Sequence, residues 1–225
     1  MGVWRLSLFV GYAQSGLKSG FTMTTAQFLD VGSSSVNLDM LAPTGDDTSD
    51  NVAVQTLDAF GREVATYLWI NWAGEGGDQE AWVDDNYEVV TGVSFDPGQG
   101  LWVQGSLSGQ GLQSAGKVGT SDVVINLCTG FTAGGNPFPV AVDLQDIVAG
   151  GDDASDNIAL QTLDAYGREL ATYLWINWAG EGGDQEAWVD DNYEIVEGVS
   201  YPAGQGLWIQ GSNDAQYVRF PAPEL

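Results

Sequence analysis

The sequence predicts an all-β protein built as two tandem, nearly identical β-sandwich or barrel-like domains. Three observations carry this: an internal repeat at an offset of 106 residues, period-two alternation of apolar side chains, and thirty-one glycines punctuating segments that lack a sustained helical period.

The repeat is the strongest of the three. Setting Gly45–Ser106 against Gly151–Ser212 pairs sixty-two positions, of which eleven differ. Upstream, Val36-Asn37-Leu38 keeps the same offset to Val142-Asp143-Leu144, and Gly20-Phe21-Thr22 matches Gly130-Phe131-Thr132 after a four-residue change in length. A chain of 225 residues accommodates two domains of ordinary size, expected at 1–115 and 116–225. Seven of the differences exchange one apolar side chain for another, as packed cores tolerate. The five aliphatic pairs, Val52/Ile158, Val54/Leu160, Val64/Leu170, Val89/Ile195 and Val103/Ile209, are therefore read as core markers. The other two are Phe60/Tyr166 and Phe95/Tyr201.

Alternation places the strands. In Glu63–Trp72, Val64, Thr66, Leu68 and Ile70 share one face while Ala65, Tyr67, Trp69 and Asn71 share the other. A preceding strand at 52–58 joins it through Ala59-Phe60-Gly61-Arg62, with Gly61 supplying a positive φ. Further strands are expected at 81–83, 87–93, 101–104 and 122–128. By parity with Val64 and Val103, Trp69 and Trp102 should point away from the core, leaving them either covered by a second layer or free as aromatic platforms for sugars or a neighbouring domain.

Composition narrows the partners. Six Lys plus Arg against thirty-one Asp plus Glu give a net charge of −25, a field that repels nucleic-acid phosphates and anionic membrane surfaces. No apolar run approaches the roughly 18 residues of a spanning helix, so membrane insertion is not expected. Met1–Ala13 reads poorly as a secretory signal because its apolar part is short and alternating. The single cysteine, Cys128, forbids an internal disulfide and has no electropositive neighbour in sequence, as expected of a small, inert strand side chain.

The absence of histidine removes Ser-His-Asp and Cys-His catalysis and the usual zinc ligands, and no phosphate loop or dinucleotide fingerprint is present. Only a glycosidase-like carboxylate pair, Glu80 with Asp84 or Asp85, would be left, and charged turns in solvent explain the same residues. The chain is therefore expected not to be an enzyme and to need no cofactor. Asp46, Asp47 and Asp50, with Asp152, Asp153 and Asp156, are candidate calcium ligands because hard oxygen donors on glycine-rich turns suit that ion. A second acidic run, Gly74 to Glu80, has the same character; neither matches a known calcium-loop spacing, and Asp and Asn also simply favour turns. Eight of nine tryptophans form matched pairs. Trp4, Trp69, Trp102, Trp175 and Trp208 are the candidate interface residues.

The strings Phe131–Val140, Trp188–Tyr193 and Gly204–Trp208 resemble repeats of an uncharacterised family of secreted or surface-exposed bacterial tandem-repeat β-domain proteins. The resemblance covers both copies, implies an extracellular or cell-surface role, and supplies no site residues. Met1–Thr25 departs from the pattern.

Two functions fit. The first is a structural subunit whose partner is itself, assembling into a filament, ribbon or surface layer: a head-to-tail contact between copies would leave the used surface open on copy two for the next chain, and the alternating segment Val3–Val10 could add a strand to a neighbouring sheet. The second is a carbohydrate-binding or adhesion module, with calcium as a ligand it could use.

Overall fold

The computed structural model describes residues 10–72, 79–164, 166–178 and 185–224. Each copy contributes ten strands in the same order. In the first these are β1 (Val10–Gly16), β2 (Gly20–Thr25), β3 (Val36–Asn37), β4 (Leu41–Thr44), β5 (Ala53–Leu57), β6 (Glu63–Trp72), β7 (Gln79–Val83), β8 (Ser94–Phe95), β9 (Gly100–Gly105) and β10 (Gly111–Lys117). The second runs β11 (Val123–Asn126), β12 (Gly130–Gly135), β13 (Val142–Asp143), β14 (Val148–Gly151), β15 (Ala159–Leu163), β16 (Glu169–Trp178), β17 (Gln185–Val189), β18 (Ser200–Tyr201), β19 (Gly206–Gly211) and β20 (Gln216–Phe220). A single 3-10 turn in each copy, Leu38–Met40 and Leu144–Asp146, is the sole helical element among the described residues. No helix is long and apolar enough to cross a membrane among them.

Among the described residues every sheet is antiparallel and open, so each copy is a sandwich and not a closed barrel. A three-stranded sheet (β1-β10-β4) faces a five-stranded one (β2-β9-β5-β6-β7), with the short pair β3-β8 alongside; β11-β20-β14, β12-β19-β15-β16-β17 and β13-β18 repeat the plan. The two cores are separate. Leu41 and Leu112 from the smaller sheet meet Val54, Trp82 and Val103 from the larger one in the first copy. In the second, Ala149, Val218 and Phe220 meet Leu160, Trp188 and Ile209. β10 pairs with β1 as far as Lys117 and β11 starts at Val123, so residues 118–122 connect the last strand of the first copy to the first strand of the second.

Three of the five aliphatic pairs lie in the cores: Val52, Val54 and Val103 and their counterparts are fully buried. The other two do not. Val64 and Leu170 are 67% and 65% exposed. The pairing explains why: Thr56 faces Ala65 and Leu57 faces Glu63, so Val64 is the extra residue of a β-bulge, and the same shift occurs at Thr162/Leu163. From Ala65 onward the pairing is regular. Tyr67 and Trp69, not Val64, are on the core side of β6. Val89 and Ile195 are also exposed, because the strand expected at 87–93 is a turn that makes only an isolated bridge from Val89 to Val83. Cys128 falls just beyond β11, half-buried in the turn to β12, with its Sγ 3.5 Å from Thr132 Oγ1.

One substitution between copies goes against its surroundings. Tyr201 replaces Phe95 in a fully buried position, its hydroxyl has no hydrogen-bond partner, and burial pushes the phenol pKa up. Removing an unsatisfied buried hydroxyl is neutral to favourable. Tyr201→Phe is expected to raise unfolding stability by up to about 1 kcal/mol in urea titrations. Leu160→Ala should cost about 2–5 kcal/mol, whereas Leu170→Ala, in the bulge, should stay within about 0.5 kcal/mol of wild type.

Candidate functional site

The residues expected at interfaces separate into two groups. Trp69 and Trp175 belong to the cores of their own copies: each makes an edge-on contact with the facing tryptophan of the next strand, at 5.2 Å between Trp69 and Trp82 and 5.3 Å between Trp175 and Trp188. Their outward assignment rests on Val64 and Leu170 being buried; both are exposed in the bulge, so the same parity sets Trp69 and Trp175 inward. Trp102 and Trp208 do point away from the core, as parity with Val103 and Ile209 requires. Trp102 stacks on Phe21 at 5.3 Å, and Trp208 meets Phe131 edge-on at 5.7 Å. Trp4 and the segment up to Phe9, and the acidic run Gly74–Asp78, lie outside the described residues.

Trp102 and Trp208 mark the contact between the copies, and that contact is two-fold. Trp102 lies against Gly167 in the β15–β16 hairpin, and Trp208 lies against the corresponding Gly61 in the β5–β6 hairpin. The backbone bridge Thr24–Gln205 has its counterpart in Gln99–Gly134. A Cβ on Gly100 would stand 2.6 Å from the Ala133 carbonyl carbon, and one on Gly206 would stand 2.8 Å from Thr24 N, so glycine is needed at both places for the backbones to approach. Buried hydroxyls and an amide complete the junction: Thr24 Oγ1 donates to Gly204 O at 2.9 Å, Thr25 Oγ1 to Asn136 O at 2.6 Å, and Gln27 Nε2 to Phe138 O at 3.0 Å. In such a contact each copy uses the same patch on the other, and the contact closes on itself. The expected head-to-tail contact is thus replaced by one that leaves no equivalent patch open.

Among the grooves that flank the junction, two occupy related places and are unequal. One, of about 460 Å³, lies between the Asp96-Pro97 turn and Val123–Asn126; the other, of about 250 Å³, lies between Lys18 and Phe21 and the Pro202–Gly206 turn. Asp96/Pro202 and Pro97/Ala203 are among the positions at which the copies differ. Both grooves are open and carry no convergent set of titratable groups.

The acidic turns are built for backbone geometry. Asp47, Asp50, Asp153 and Asp156 all have positive φ, between 49° and 62°. The carbonyls of Asp46 and Asp47 accept Gln110 Nε2, and those of Asp152 and Asp153 accept Gln216 Nε2. Among the described residues no three carboxylates gather around a common point. Glu80 and Asp84 have separate partners: Glu80 Oε1 accepts Asn71 Nδ2 at 2.9 Å, while Asp84 Oδ1 accepts the backbone N–H groups of Asn86 and Glu88, both at 2.9 Å.

That last turn creates the feature the sequence reading missed. Tyr87 N donates to Asp84 O, and Tyr87 is held at φ 60°, as Tyr193 is at 61°. A bulky side chain in this region is a genuine outlier. The turn lays Tyr87 flat against Trp72, the last residue of β6, with ring centroids 5.9 Å apart and planes 19° from parallel; Trp178 and Tyr193 stack at 5.7 Å and 25°. Trp72 Nε1 donates to Asp50 Oδ2, and Trp178 Nε1 to Asp156 Oδ2, both at 3.3 Å. The Asp156 carboxylate raises the pKa of the Tyr193 phenol by its charge and by a hydrogen bond. Both indoles are 41% exposed, and the tyrosines 52% and 49%. Each copy therefore presents an Asp–Trp–Tyr constellation whose aromatic rings face solvent. Nothing in the local pattern 84–88 signals it, because the Trp and Tyr are fifteen positions apart and meet only through the β6–β7 pairing.

Comparison with protein-family models, curated proteins and solved structures returns no match.

The turn that carries Tyr87 is charge-dependent. The N–H of Glu88, then that of Asn86, holds the Asp84 carboxyl below its ordinary pKa of 3.8; Glu194 and Asn192 do the same for Asp190. A carboxyl with a folded pKa below its unfolded one stabilises the fold above the unfolded value and loses that contribution as pH falls through the folded value. Asp84→Asn and Asp190→Asn should lower the melting temperature at neutral pH, and their gap from wild type should close as pH falls below 3.8. A constant gap across that range in calorimetry would contradict the assignment.

Proposed function

We propose that the protein is a non-enzymatic carbohydrate-binding module with two aromatic platforms, Trp72/Tyr87 and Trp178/Tyr193. The observation that carries this is the tyrosine at positive φ. A residue in that region costs about 1–3 kcal/mol, and an aromatic pair returns about 0.5–1.5 kcal/mol beyond its buried area. Here about half of each tyrosine stays exposed, so burial does not offset the strain. Backbone strain retained to hold two flat rings at the surface is the signature of a binding site. The apolar face of a pyranose stacks on such rings, and Asp50 and Asp156 beside the indoles offer acceptors for sugar hydroxyls. A net charge of −25 favours a neutral glycan over a polyanionic one. An extracellular or cell-surface setting follows the resemblance of the repeat strings.

Native gels cast with neutral β-linked polysaccharides (hydroxyethyl cellulose, mixed-linkage β-glucan, glycol chitin) test the reading. At least one should retard the wild type, and carboxymethyl cellulose should not. Trp72→Ala with Trp178→Ala should weaken retardation tenfold or more, equivalent to about 1.4 kcal/mol, while the protein keeps a single cooperative thermal melt. Retardation that survives both substitutions, or none in any gel, would overturn the proposal.

A structural role as a self-assembling subunit is the second reading. What favours it is β1, an outer strand of its sheet with Val10 and Tyr12 strongly exposed, whose free edge could pair with another chain. Sedimentation velocity across a concentration and salt series should then reveal growing oligomers, and a single monomeric boundary throughout would exclude it.

A further inference from the structure

We infer that the two platforms act as a pair that bridges separate glycan chains, so that the protein cross-links a neutral polysaccharide. The inference rests on the carbohydrate reading and adds its valency.

The argument is in the placement of β6 and β16. Each of these ten-residue strands has the copy junction at one end and a platform at the other. At the first end, Ala59 O in the β5–β6 hairpin accepts Phe131 N at 3.1 Å, and Gly61 packs under Trp208. Trp102, at the same end of the larger sheet through its pairing with Gln55, packs on Gly167 of the opposite hairpin. At the far end stand Trp72 and Trp178, paired with the outermost strands β7 and β17. Ten residues at about 3.3 Å each put a platform roughly 30 Å along the strand from the contact. The two-fold relation then sends the platforms to opposite flanks. No single sugar ring, and no short oligosaccharide, reaches both.

Rigidity makes the separation matter. The junction is held by backbone bridges, buried hydroxyl donors and interlocked tryptophans, not by a linker, and the segment between copies is only residues 118–122. Two sites on a stiff body facing apart engage two polymer chains more readily than two points on one, because effective concentration is high only when the tether can span the sites. The local chemistry is the same on both flanks: Asp50, Trp72 and Tyr87 on one, Asp156, Trp178 and Tyr193 on the other.

The test uses the whole chain, with whichever neutral polysaccharide of the gel series retards it most, measured by turbidity and viscosity. Wild type should raise both, pass through a maximum as protein is increased, and fall when sites outnumber chains. Trp72→Ala and Trp178→Ala, each alone, should still be retarded in the gel but should abolish the rise. A single-site variant that cross-links like wild type would overturn the inference, as would wild type that binds tightly without any rise, which means both sites lie on one chain. Retardation that persists in the double variant instead overturns the carbohydrate reading itself, so the two failures are told apart.

Discussion

The arrangement depends on one buried tryptophan per copy. Trp82 sits on β7, the outermost strand of the larger sheet, and its indole N–H donates to Leu41 O, where β4 of the smaller sheet begins, at 2.8 Å; Trp188 donates to Ile147 O at 2.7 Å. An outer strand lacks a neighbour on one side and frays easily. Here the indole ties that strand across the core to the opposite layer, fills the space between, and meets Trp69 or Trp175 edge-on. Everything built beyond β7 inherits this fixation. The Asp84 turn leaves directly from Val83, and Val90 N returns to Trp82 O, so the loop bearing Tyr87 is anchored at both ends beside the same residue. The platform is exposed, but its foundation is the largest buried side chain in the copy.

Charge shapes the molecule by where it is absent. The junction between copies is made of glycines, threonines, amides and tryptophans, so the repulsion implied by −25 is not concentrated there. Among the described residues only two ion pairs occur, Arg168–Asp164 and Arg219–Asp122, both substantially exposed, and such pairs contribute little. Carboxylates do structural work instead as acceptors for backbone N–H groups, as Asp58 does for Phe60 and Arg62 in the β5–β6 hairpin. Each such turn places a carboxylate where backbone N–H groups converge, which puts acidic residues into tight, ordered turns.

Much of the fold was legible because repeat and alternation are local properties. Glu63–Trp72 was read with its true bounds, the Gly61 hairpin has its positive φ, and the swaps at Val52, Val54 and Val103 marked the core. The error on β6 lies in its reference residue: Val64 and Leu170, taken as core markers, sit in a bulge and are exposed, so the parity that opposes Trp69 and Trp175 to them sets both tryptophans on the core side. The stretch 87–93 has strand-like composition, but Asp84 captures its backbone donors first. The junction was half-visible: parity set Trp102 and Trp208 outward, yet nothing in one dimension distinguishes a two-fold contact from a head-to-tail one.

That distinction decides what duplication gives this chain. With a head-to-tail contact, each added copy would extend an array and the count of copies would be arbitrary. A two-fold contact is complete at two, since each patch is already occupied by its twin. Joining the copies covalently removes the concentration dependence that a dimer of separate chains would have. Among the surfaces left free are the far ends of the larger sheets, where Tyr87 and Tyr193 hold their strained backbone against Trp72 and Trp178. Duplication therefore sets two like aromatic platforms at a fixed separation on one chain.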